Sequence, residues 1–378
     1  MTTATATRRR KAAGVTMDRG QLLAALKDVG AAVAARGPKP ILQNVLLHDG
    51  ILTATNLEMR IDCHIDWHDD PLLLPYARLK SILDAATGDE IVLTRDGEAC
   101  RVQIGRSEWR LPVENAAEFP TWEAGKLASL PRIPCDQFAR AVRSVSYACD
   151  SESSRFALGA VQIEVQDGEC TLCASDGRRL SVALIEFDQD LDPVEVLVPE
   201  HAIQQMAAIA LKHGKDGTAV QLQASKSEIV ATFDGQTITA RLIDGRFPKW
   251  RDVFPERDAT EHVVEIGALL SATVAAAIVT TEQSRGVDYT FIDTGILLHG
   301  QSSQSGESKV ECDIVSAGKP GIVKLDPRFV SDVCKALLTL DGEPNVRIST
   351  DGPGDAVVLT CGEDDEYRSV IMPLDPAA

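Results

Sequence analysis

Three stretches of this chain repeat one another. "AAEFPTW" ends at Trp122 and "DGRFPKW" at Trp250, 128 positions later. A proline that opens an apolar-periodic segment recurs at Pro75, Pro199 and Pro327, with spacings of 124 and 128. Copies this long exceed the roughly 20–50-residue periods of solenoids, so each is expected to be a domain with its own core. The 378-residue length fits two to three such domains. Three alike domains point to an assembly whose purpose is geometric, because a catalytic site needs only one copy.

Each copy reads in the same order. Apolar residues recur at three- and four-residue spacing over 19–33, 135–148 and 266–279, which predicts an amphipathic helix in each. Strand-like runs follow, separated by Gly/Asp turns such as His48-Asp49-Gly50 and Gln166-Asp167-Gly168. A second helix is expected just after Pro75, Pro199 and Pro327, and two or three strands close each copy. Runs of strand without βαβ alternation make each copy an α+β domain, two helices packed on antiparallel sheet. The expected boundaries are 15–129, 130–258 and 259–378, with short linkers over 124–132 and 254–262. Residues 1–14, basic and free of acids, are expected to be a disordered tail. They lack the apolar core of a secretory signal, although an organelle presequence shares this basic character.

The formal net charge is −18, and it is unevenly spread. Residues 1–129 hold 16 basic against 17 acidic groups, 130–258 hold 14 against 20, and 259–378 hold 8 against 19. Such a balance disfavours a protein that coats nucleic acid, but it permits a basic stripe on one face, since charges beyond about 10 Å are screened. Nine scattered cysteines in a chain without a secretory signal read as reduced thiols. Cys170 and Cys173 form the one CxxC, but on a strand they point to opposite faces, and no second pair completes a metal site. No run of about 18 apolar residues is present, so no membrane span is expected. Phosphate-binding, zinc-protease and serine-hydrolase motifs are absent, and the acidic clusters at 188–192 and 362–366 read as solvated turns. Neither a cofactor nor a metal is expected. A metal-dependent nuclease would need a convergent carboxylate or histidine set that the sequence does not display.

The triplicated unit, with "PILQNVLL" (40–47), "TNLEMRI" (55–61), "SDGRRLSV" (175–182), "ARLIDGRFPKWRDVFP" (240–255), "TEQSRGV" (281–287) and "YRSVIMPL" (367–374), closely resembles the bacterial DNA polymerase III beta subunits, the sliding clamps. The resemblance runs from Val15 to Leu374. It implies three tandem clamp-type domains forming half of a six-domain ring, closed by a head-to-tail homodimer. Duplex DNA would be encircled without base readout, and the ring would act as a processivity factor in chromosomal replication without catalysis of its own. Implied partners are the polymerase III catalytic subunit, the clamp loader, and other polymerases and repair proteins that carry clamp-binding peptides. The expected place is the cytoplasm, at the nucleoid. A paralogue dedicated to repair or to a specialised polymerase is the alternative within the same class.

The resemblance also implies roles for particular residues. A partner-peptide pocket between the second and third domains would use Leu158, Ser175, Gly177, Arg178, Arg179, Leu180, Pro248, Asp252, Val253, Ala356, Val370, Met372, Pro373 and Leu374. Taken singly, each apolar member is equally at home in a core. Trp109 and Leu111 would meet Ile278 and Val279 across the dimer interface, while packing within its own domain is the plainer role for Trp109. Arg36, Lys39, Arg78, Arg155 and Phe156 would face DNA, where an ordinary solvated role competes for each arginine. The chain departs from the family pattern at Arg178, commonly histidine, at Asp252, often basic, and in its "LDPAA" end. A different charge preference in the bound peptide is therefore expected. Glu200 and His201 stand where the family is usually basic, which weakens the case for DNA contact there.

Overall fold

The order β-α-β-β-β-β-α-β-β-β occurs three times in the computed structural model, which describes residues 14–35, 37, 39–122, 125–150, 156–214, 217–255, 261–282, 284–339, 344–362 and 365–374. The first copy comprises β1 (Val15–Asp18), α1 (Arg19–Val29), β2 (Asn44–His48), β3 (Ile51–Thr55), β4 (Met59–His64), β5 (Leu72–Pro75), α2 (Tyr76–Ala85), β6 (Glu90–Asp96), β7 (Ala99–Ile104) and β8 (Ser107–Pro112). The second comprises β9 (Ala128–Pro134), α3 (Cys135–Ser146), β10 (Ala160–Gln166), β11 (Glu169–Ser175), β12 (Arg179–Glu186), β13 (Val194–Pro199), α4 (Glu200–His213), β14 (Ala219–Ala224), β15 (Glu228–Phe233) and β16 (Gln236–Arg241). The third comprises β17 (His262–Glu265), α5 (Ile266–Ala277), β18 (Val287–Ile292), β19 (Gly295–Ser302), β20 (Gly306–Cys312), β21 (Gly321–Leu325), α6 (Pro327–Leu337), β22 (Asn345–Ser349), β23 (Val357–Cys361) and β24 (Tyr367–Ile371).

Local chemistry accounts for the helix starts. Asp18 caps α1 by accepting from the Gln21 N–H at 2.7 Å, and Asp326 caps α6 by accepting from the Arg328 N–H. Pro327 occupies the first position of α6, where its missing N–H costs nothing. Pro75 and Pro199 instead stand one residue ahead of α2 and α4, as the N-cap. The three first helices end two to four residues earlier than their apolar period predicts. One element differs in kind. Residues 128–134, expected to lie largely in a linker, form strand β9 against β14, with a register shift between Gln221 and Gln223. Pro131 and Pro134 hide this strand in the sequence, since proline enters sheets at edges and bulges.

The residues divide into two compact units. The unit of 1–127 with Val230–Ala240 holds the four-stranded sheet β1-β6-β7-β8, and a second sheet in which β4 pairs with β16. The unit of Ala128–Ile229 with Arg241–Ala378 holds the eight-stranded sheet β13-β10-β11-β12-β24-β23-β22-β17 and the four-stranded sheet β20-β19-β18-β21. The eight-stranded sheet joins strands of the second and third copies through β12 and β24, which run antiparallel with Leu180 opposite Val370 and Ala183 opposite Tyr367.

Side-chain alternation on β12 and β24 gives this seam two faces. Tyr367 and Ile371 enter a buried core with Leu269, Val333 and Leu337, against which Tyr147 from the end of α3 also packs. Beneath them a hydroxyl cluster crosses the seam: the Tyr147 hydroxyl contacts Ser181 Oγ and, at 2.7 Å, the Tyr367 hydroxyl, while Ser181 meets Ser369 at 3.1 Å. Burial raises both phenols above their ordinary titration range, so they stay protonated and keep a donor each. On the third-copy sheet, Gly300 lets α5 approach closely, because a Cβ there would lie 2.6 Å from the Ala276 carbonyl oxygen.

The hydroxyl cluster should contribute measurably to the stability of this unit. Tyr367→Phe is expected to cost about 1–2 kcal/mol in urea denaturation, since it strips a partner from two buried hydroxyls.

Candidate functional site

The other face of the same seam is apolar and partly uncovered. Ser175, Leu180, Val370 and Val358 lie opposite one another across four adjacent strands, and so share that face. Leu180 and Val182 form a small core with Ala160, Cys173, Leu197, Phe247 and Trp250, and Ile243 and Phe254 pack against it. The segment 243–254 thus folds back over the sheet. Its short 3-10 turn, Trp250–Val253, presents Val253 at 38% exposure. Met372, one residue past β24, is 44% exposed, whereas Val370 beneath that face is buried, as is Leu158. Two large apolar side chains held open above a packed floor make a shelf suited to an apolar anchor.

Backbone and turn chemistry fix the shelf's rim. Ser175 Oγ accepts from the Gly177 N–H and donates to the Arg179 carbonyl, while Asp176 Oδ1 accepts from the N–H groups of Arg178 and Arg179. Gly177 sits at φ +83°, a conformation that side-chain-bearing residues rarely adopt. The turn in turn holds the chain end, because the Met372 N–H donates to the Arg178 carbonyl at 2.8 Å. Farther on, the Leu374 N–H donates to the Lys324 carbonyl, which lays the half-buried Pro373–Leu374 beside β21. Arg178, Pro248 and Asp252 are exposed, and Ala356 is half-buried just before β23. The Arg368 guanidinium stacks on the Phe254 ring at 5.0 Å and Arg251 on Trp250 at 4.1 Å, so cations border the shelf.

Arg179 alternates to the helix face, opposite Leu180. Its guanidinium pairs with Asp176 at 3.0 Å and with Asp332 of α6 at 2.7 Å, donates to the Tyr147 carbonyl, and lies 4.6 Å from the Phe329 ring centre. It clasps the second copy to the third from behind the shelf. The sequence reading missed Tyr147, Phe329, Asp332 and Arg368 in this arrangement. The alternation of "YRSVIM" carried the signal for Arg368, since it puts that residue on the same face as Val370 and Met372.

The remaining expected positions are scattered over the two units. Trp109 is half-buried and Leu111 buried on β8, an edge strand of its sheet. Ile278 is 78% exposed just beyond α5, with Val279 half-buried beside it. Lys39 and Arg78 are exposed. Arg36 and Arg155 lie outside the described residues, as does the tail over 1–13, and the side chain of Phe156 is likewise not described. Cys170 and Cys173 are both buried on β11, and burial pushes the Cys170 thiol up to about 12 and Cys173 well above its usual range. Among the described residues no group of three or more His, Cys, Asp or Glu is arranged to hold a metal ion, and no helix is long and apolar enough to cross a membrane.

Three family models match successive parts of the chain: the N-terminal domain of the DNA polymerase III beta subunit over residues 14–123, its central domain over 132–249 and its C-terminal domain over 251–375. The chain is 26% identical over 371 residues to the beta sliding clamp of Escherichia coli, covering 95% of this chain and 99% of that one. It is 24% identical over 374 residues to the beta sliding clamp of Vibrio cholerae, with the same coverages. Among solved structures, a Pseudomonas aeruginosa sliding clamp bound to griselimycin superposes with a TM-score of 0.88 at 24% identity, covering 96% of this chain and 100% of that one. A Caulobacter crescentus sliding clamp gives 0.83 at 25% identity, with the same coverages.

Two outcomes are expected from the site's geometry. Arg179→Ala should lower the unfolding free energy by about 1.5–3 kcal/mol, the range for hydrogen bonds to charged groups, as read by urea denaturation. Iodoacetamide at pH 8 should label Cys170 and Cys173 far more slowly in the native protein than in urea, because their thiols stay protonated and buried.

Proposed function

The chain belongs to the DNA polymerase III beta subunit family, the beta sliding clamps, and from that premise we propose that it is a DNA sliding clamp. Two copies close head to tail into a ring that encircles duplex DNA and tethers the replicative polymerase, with no catalytic step of its own. The observation that carries this reading is the shelf, where Leu180, Val253, Val370 and Met372 offer apolar anchorage on a rigid sheet. A partner peptide with glutamine and leucine or phenylalanine anchors would dock there, carried by the polymerase catalytic subunit, the clamp loader or repair proteins. The griselimycin-bound relative supports ligand binding as a property of such proteins. In this reading the functional domains are 15–129, 130–258 and 259–378.

Ring closure has a physical basis in the free edges. β8 ends the sheet β1-β6-β7-β8, and β20 ends the sheet β20-β19-β18-β21. An unpaired edge invites uncontrolled association, and a heterologous contact that closes removes it. Pairing β8 of one copy with β20 of the next would bring Trp109 and Leu111 towards Ile278 and Val279. Lys39, Arg78, Arg36 and Arg155 are assigned to the DNA-facing side, working from the cytoplasmic nucleoid. Topological linkage then supplies retention that non-specific phosphate contacts lose as salt rises.

Primer-extension assays with the cognate loader and polymerase test the reading. The protein should raise product length per binding event, and failure to do so would count against it. Met372→Asp should weaken an anchor peptide at least tenfold by anisotropy, as loss of a central contact does, while the dimer persists. Ile278→Asp places a charge on a 78% exposed position, so folding should survive while sedimentation shows monomer.

A further inference from the structure

Strand β17 ends the eight-stranded sheet, and a strap of residues 313–320, which joins β20 to β21, lies along its free edge. The Val263 N–H donates to the Ser316 carbonyl at 3.0 Å, and the Val315 N–H donates to the Val263 carbonyl at 2.7 Å. His262, next to Val263, is 2% exposed. Its ring binds the same strap through both nitrogens. Nδ1 accepts from the Gly318 N–H at 3.0 Å, and Nε2 lies 2.9 Å from the Lys319 carbonyl oxygen. A backbone N–H only donates and a carbonyl only accepts, so the ring proton sits on Nε2 and the ring is neutral. Phe291 of β18 packs against it, with ring centres 5.1 Å apart.

This pattern admits one protonation state. An imidazolium carries two N–H donors, whereas the strap offers it one acceptor and one donor. Protonation would set Nδ1–H against the Gly318 N–H in a buried site, where a charge and an unmatched donor are both costly. With the strap lifted, water accepts from both nitrogens. The charged groups on the surrounding elements do not offset this cost. Glu261, Glu265 and Arg347 alternate to the other face of the sheet from His262, and Arg347 pairs with Glu261 at 3.3 Å. On β18, Asp288 alternates to the face opposite Phe291 and approaches His299 at 3.9 Å, while Asp293 is exposed in the turn beyond. On the strap, Lys319 pairs with Asp351 at 3.1 Å, and Asp313 is exposed. His262 itself makes no ion pair among the described residues.

We propose that His262 is a pH-sensitive latch: while neutral it pins the strap over β17, and on protonation it releases the strap. The sign follows from the hydrogen bonds. The open form accommodates the extra proton and the closed form does not, so closure weakens as pH falls. Release frees the N–H and carbonyl of Val263 at the end of a sheet, the kind of edge that pairs with another chain.

Amide hydrogen exchange on the full chain tests the latch at pH 8 and pH 5, a span across which imidazoles ordinarily titrate, with rates corrected for the intrinsic exchange at each pH. In the wild type, protection at Val263, Val315 and Gly318 should fall about tenfold or more at pH 5, the effect of a buried donor left unmet. Protection within β23 and β24 should hold, which separates strap release from general acid unfolding. His262→Gln does not titrate and His262→Phe removes both bonds, so strap protection in each should barely change between the two pH values. The Phe variant should already show the acid level at pH 8. Nitrogen-15 spectra of the His262 ring at pH 8 should report the Nε2–H form. Equal strap protection at both pH values in the wild type would overturn the latch, as would a fall shared by β23 and β24. A tenfold fall that persists in either variant, or an Nδ1–H ring at pH 8, would overturn it too.

Discussion

The pairing of β12 with β24 is the constraint on which the rest of this unit depends. Strands from two different copies become neighbours in one sheet, so the two cannot turn against each other without breaking backbone hydrogen bonds. The same register decides what each face receives. Tyr367, Ser369 and Ile371 go to the helices, where hydroxyls and core packing hold them; Arg368, Val370 and Met372 go outward, to the shelf. Arg179 then fastens α6 to the end of α3 from behind. A surface made this way is stiff, and stiffness would reduce the ordering cost of the peptide capture proposed for it.

Much of this was legible in the sequence, and the reasons differ by element. The helices announced themselves through apolar spacing and through Pro75, Pro199 and Pro327, since both signals are local. The turns at Asp49-Gly50 and Asp167-Gly168 were equally local, and all four of these residues adopt positive φ. The strand β9 was hidden because its prolines resemble a linker. The neighbour of β12 could not be read from the residues alone, because β24 lies almost 190 positions away and pairing at that distance leaves no local trace. The family resemblance placed Arg179 and Leu180 together in the pocket, although alternation sends the two to opposite faces of the sheet.

The three copies share one order of elements and have parted in chemistry. The last copy carries 19 acidic and only 8 basic residues, which suits it to protein contacts more than to phosphate. The second and third jointly build the shelf, with its border of Arg178, Arg251 and Arg368. Nearby, Gln162 Oε1 and Trp250 Nε1 are buried without a hydrogen-bond partner among the described residues. A fold repeated for geometry has thus become asymmetric at its surface.

The most direct measurement of the central claim follows the protein on DNA whose topology is changed. The clamp loader places labelled protein on a nicked circular duplex, which is then isolated by gel filtration and cut once by a restriction enzyme. A ring that encircles DNA stays with the circle through a high-salt wash and leaves once the DNA is linear. Protein that washes off the circle, or that remains on the linear duplex, would contradict encirclement.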